Sequence, residues 1–65
     1  MPNTRRIRIV RSIQIGPSRF IPAGTLGEER RRAHSQEVGR EVVFATVATE
    51  EHEVVLFAEE VEYID

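Results

Sequence analysis

The chain has 65 residues, 40% of them apolar, with nine arginines, no lysine, eleven carboxylates and no cysteine. That composition describes one small domain without a disulfide framework or a thiolate metal site, so its stability must come from packing or from assembly with a partner. No apolar run approaches the ~18 residues of a membrane span, and residues 1–11 carry charge where a secretory leader needs its apolar stretch, so a cytoplasmic protein with no membrane association is expected.

The net charge of −2 hides an uneven distribution. Residues 1–40 hold all nine arginines against Glu28, Glu29 and Glu37, a net of +6, and residues 41–65 hold eight acids and no arginine, a net of −8. The split fits two readings: a basic face for an anionic partner, or internal pairing in which a basic first strand lies beside an acidic last one. Internal pairing is expected to set Arg6 or Arg8 opposite Glu60 or Glu62.

In chain order, Arg6-Ile7-Arg8-Ile9 alternates polar and apolar residues, and Ile13-Gln14-Ile15 resumes the same odd-numbered phase. This predicts a strand bulged near Arg11. Gly16-Pro17-Ser18 and Pro22-Ala23-Gly24 are turns, and Arg19-Phe20-Ile21 runs extended between them because Pro22 disfavours helix at Ile21. A second strand starts at Thr25-Leu26-Gly27-Glu28, where Gly27 suits a sharp bend or the close approach of another backbone.

Residues 28–40 admit two readings. Thr25 and Glu28 have the spacing of a helix capping box, with Gly39 as a stop, but the intervening residues offer almost no apolar face to dock. A strand to about Arg32, followed by a mobile polar tip at 33–39, is the preferred reading. Val42-Val43-Phe44-Ala45-Thr46-Val47 and Val54-Val55-Leu56-Phe57 then form a hairpin, and Val61-Glu62-Tyr63-Ile64 makes a short final strand. Five antiparallel strands and no useful helical period predict an all-β fold, a small barrel with Ile7, Ile9, Ile13, Leu26, Val42, Phe44, Val54, Leu56 and Val61 in its core.

This order resembles the SH3-like small barrels, on Arg6-Ile7-Arg8-Ile9-Val10, the long loop, Pro22-Ala23-Gly24-Thr25-Leu26-Gly27-Glu28, the central Val42-Val43-Phe44 and the terminal Phe57-Ala58-Glu59-Glu60-Val61-Glu62. Similar segments occur in KOW modules of translation and transcription factors and in the small SH3-like stromal component of photosystem I. The resemblance spans nearly the whole chain and implies a five-stranded antiparallel SH3-like barrel with neighbouring termini. With only Phe20, Phe44, Phe57 and Tyr63 as aromatics, the ligand shelf of signalling SH3 domains is missing.

Nothing in the sequence converges as a nucleophile, base and orienting group must. His34 and His52 read as solvated surface histidines, and Glu59 and Glu60, as sequence neighbours, do not form an acid/base couple. A non-catalytic module without metal or cofactor is expected. Its protein-binding residues are expected to be Arg19, Phe20 and Ile21 on the proline-bounded loop, with Arg30, Arg31 and Arg32. The competing reading is nucleic-acid binding, in which Arg5, Arg6, Arg8 and Arg11 contribute phosphate contacts, although an acidic domain with a pI near 5.7 is unusual for that role. A homo-oligomer is the third reading, because exposed strand edges and a marginal core favour self-association.

Overall fold

The computed structural model describes residues 4–65; residues 1–3, part of the charged segment read above, lie outside it. The described chain is all-β. Its strands are β1 (Arg5–Ile9), β2 (Ile13–Gly16), β3 (Arg19–Ile21), β4 (Leu26–Ser35), β5 (Arg40–Val47), β6 (Val54–Phe57) and β7 (Val61–Tyr63), with one turn of 3-10 helix (Ala58–Glu60) before β7. An antiparallel five-stranded sheet runs in the order β6-β5-β4-β1-β7, and β2 and β3 form a separate hairpin. The two sheets are not closed into a barrel.

The expected bulged first strand is in fact two strands in different sheets, broken at 10–12. The long excursion between β1 and β4 is tied at its base: Ile9 N–H donates to the Thr25 carbonyl (2.9 Å), and Gly24 N–H donates to that of Ile9 (2.7 Å). Gly24 takes φ +90° there, a conformation open to glycine without strain. β4 is longer than expected. It continues to Ser35 by pairing with β5, which leaves only residues 36–39 as the turn in place of a polar tip from 33.

The core contains Ile7, Ile9, Ile21, Val43, Ala45, Val47 and Leu56, with Ile13, Val54 and Val61 packed partly buried against it. Three expected core residues require correction. Val43, Ala45 and Val47 take the inward positions of β5, so Val42 and Phe44 lie on the opposite face, and Leu26 is 48% exposed. Because β5 is apolar at both parities, its pattern alone does not select the buried phase. Gly27 meets the expectation of close approach: a Cβ there would stand 2.4 Å from the Thr46 carbonyl oxygen.

An extra residue, Arg30, interrupts the pairing of β4 with β5, since Glu29 lies opposite Ala45 and Arg31 opposite Phe44. Such a bulge bends its strand and reverses the parity of inward residues. Glu29 therefore points inward before it and Arg32 after it.

Candidate functional site

The charge halves meet largely within the molecule. Arg8 in β1 is opposite Glu62 in β7, and its Nε donates to the Glu62 carboxylate at 2.6 Å. Arg5 reaches Asp65 at 3.5 Å, and Arg11 lies 3.7 Å from Glu59 and 3.8 Å from Glu60. Three of the four candidate phosphate contacts, Arg5, Arg8 and Arg11, are thus already matched by acids. Arg6 has no ion-pair partner among the described residues. It borders a shallow depression of about 370 Å³ shared with Leu26, Gly27, Glu28 and Thr46.

The expected protein-binding segments are separated by the fold. In the β2–β3 hairpin, Ile13 pairs with Ile21 and Gln14 with Phe20. Period-two geometry sends Ile21 into the core, where it is fully enclosed, and leaves Phe20 55% exposed. Ile21 thus seats the hairpin and is removed from the partner-contacting set. Arg19 pins the other side by donating to Glu50 at 2.7 Å, although 66% of its own side chain is exposed. Phe20 is therefore an outward ring on a hairpin held at two points.

Arg30, Arg31 and Arg32 do not form one patch. Arg30 occupies the bulge, with Glu28 at 4.0 Å. Arg31 lies over the Phe44 ring, 4.0 Å from its centroid, on the outer face of the sheet. Arg32 turns the other way, donating to Glu29 at 3.3 Å and to Glu41 at 3.1 Å, and also meets the Tyr63 hydroxyl.

A polar cluster that composition and spacing do not reveal forms around Glu29, the one buried acid among the described residues. The Tyr63 hydroxyl donates to Glu29 Oε1 at 2.6 Å, and the Arg5 guanidinium stacks on the Tyr63 ring at 3.6 Å. Burial raises the Tyr63 pKa above its ordinary value, and the hydrogen bond to Glu29 and the charge of that carboxylate raise it further. Burial pulls the Arg32 pKa down, but Tyr63, Glu29 and Glu41 outweigh it and hold the guanidinium charged. Donor and acceptor satisfy each other, so this cluster locks β1, β4 and β7 together at one end of the core. Its signal lay in the bulge, which alone lets Glu29 and Arg32 share a face.

His34 and His52 are exposed, and no group of three or more potential metal ligands occurs among the described residues. No described helix is long and apolar enough to cross a membrane. No protein-family model, curated protein or solved structure matches the chain.

Proposed function

We propose that the chain is a non-catalytic, cytoplasmic protein-binding module, an accessory subunit or regulator, built on an SH3-like frame. The frame is supported by the meander β4-β5-β6 extended by β1 and β7, which sets the first and last strands side by side, and by the long excursion after β1. The observation that carries the binding reading is Phe20. A large apolar ring left 55% exposed on an anchored hairpin loses little conformational entropy on docking, and aromatic anchors of this kind dominate interface energetics. Arg19 beside it is paired with Glu50 and keeps the hairpin, and with it the ring, in place.

Nucleic-acid binding, the rival reading, needs several uncompensated cations, and the acids opposite Arg5, Arg8 and Arg11 oppose it. One experiment separates the readings: co-purification of the protein from its native source, with and without nuclease. A protein partner that survives nuclease and is lost with Phe20→Ala is the expected result. Recovery of nucleic acid alone, released steeply by salt, would overturn the proposal. Sizing across concentration identifies the remaining case, self-association through strand edges.

A further inference from the structure

In an antiparallel sheet with one wet face, strands alternate apolar and polar residues; near-continuous apolar runs belong to strands covered on both faces. Val42-Val43-Phe44-Ala45 in β5 and Val54-Val55-Leu56-Phe57 in β6 are such runs. The fold covers only one side of them. Val43, Ala45 and Leu56 face the core, and Val42, Phe44, Val55 and Phe57 lie on the opposite face.

The strand register makes that outer face contiguous. Phe44 is beside Val55 and Val42 beside Phe57, and β4 adds Arg31 next to Phe44 and Ala33 next to Val42. Its cover is cationic: Arg31 over Phe44 at 4.0 Å and Arg40 over Phe57 at 3.8 Å. Val55 remains 59% exposed, the most of any large apolar side chain described.

We infer that this face docks a short segment of a partner protein carrying apolar side chains flanked by carboxylates. The apolar floor takes the former. Arg31, which has no carboxylate partner among the described residues, takes the latter, with Arg30 next to it in the chain. Arg40 is already held by Glu59, which also lies near Arg11, so Arg31 is the unmatched cation of this face among the described residues. Phe20 lies on the separate hairpin and takes no part in this docking.

The test uses the full chain labelled with nitrogen-15 and two synthetic peptides, one alternating leucine with glutamate and one alternating leucine with lysine. The expected result is that the glutamate peptide moves the amide resonances of Val42, Phe44, Val55 and Phe57, while those of Phe20 and its neighbours stay in place. Arg31→Gln and the near-isosteric Val55→Thr should each weaken binding about tenfold, a loss of roughly 1.4 kcal/mol. Both positions are exposed, and if Val55→Thr disturbs the fold, Arg31→Gln decides. Equal binding of the lysine peptide, absence of any shift, or shifts confined to the Phe20 hairpin would overturn the inference. So would stronger movement of these residues by oligothymidylate, or line broadening that depends on protein concentration alone.

Discussion

Glu29 is a nearly buried carboxylate, and donation from Tyr63 and Arg32 offsets the cost of its burial. Tyr63→Phe removes one donor and keeps the ring on which Arg5 stacks, so a loss of about 1.5–3 kcal/mol is expected in urea unfolding. The pH dependence follows from the raised Tyr63 pKa. The unfolded tyrosine ionises first, near pH 10, so the contribution is complete below about pH 10 and is lost as pH rises through the higher folded value. Wild-type stability should therefore fall on the alkaline side, and Tyr63→Phe should flatten that fall. Asp65 has the opposite sign. The Arg6 N–H bond at 3.0 Å lowers its pKa; desolvation opposes that, and nearby Arg5 lowers it further, leaving it below the ordinary value. Its contribution is present above the ordinary aspartate value and lost as pH drops through the lower folded one, so Asp65→Asn should shrink the acid-side loss. At Gly27 the constraint is steric: an alanine methyl would collide with the Thr46 carbonyl, and separating β4 from β5 should cost about 3 kcal/mol. The special role of Gly27 was legible in its neighbourhood of turn and strand residues. That of Glu29 was not, because it depends on a bulge that the run of charges around Arg30 conceals.

The β2–β3 hairpin divides two adjacent residues into different tasks, and mutagenesis should divide them too. Ile21→Ala leaves a cavity in the core and should cost about 2–5 kcal/mol. Phe20→Ala should leave the thermal midpoint nearly unchanged, within about 0.5 kcal/mol, while abolishing partner binding. If Phe20→Ala destabilised the domain as much as Ile21→Ala, its ring would belong to the fold rather than to an interface. The strands themselves were legible wherever polarity alternates, as at Ile7, Ile9, Ile13 and Ile15. In β5, however, valine and phenylalanine on one parity compete with valine and alanine on the other. The backbone resolves that choice by turning the smaller Val43 and Ala45 inward and the bulkier Phe44 outward under Arg31. The second half of β4 was hidden for a different reason: residues 31–35 have no apolar stripe, and only the ladder to β5 makes them a strand.

Across the whole molecule, basic β1 lies against acidic β7, while Arg11 and Arg40 converge on Glu59 after β6. Each exposed pair is worth only about 0.2–1 kcal/mol, but they act in the same direction, and salt screens them within a Debye length of roughly 10 Å at 0.1 M. Raising sodium chloride from low millimolar to molar levels should therefore lower the urea midpoint. An increase would mean that residual like-charge repulsion outweighs the paired arginines. The opposite charges of the two halves were plain in the sequence, and so was the expected meeting of the first strand with the last. Which arginines remained unmatched was not, because Arg31 and Arg32 differ by one position and face opposite sides of the sheet.

The bulge also sets where this chain can change length. Arg30 has no opposite number in β5, so deleting it would join Glu29 directly to Arg31 and leave every other pairing of the ladder intact. Losing a residue after the bulge, from Arg32 onward, would slide the remainder of β4 by one place and exchange its buried and exposed sides. Arg30 is thus a position in this strand at which a deletion keeps the ladder in register, and the bend it creates is what such a deletion would remove.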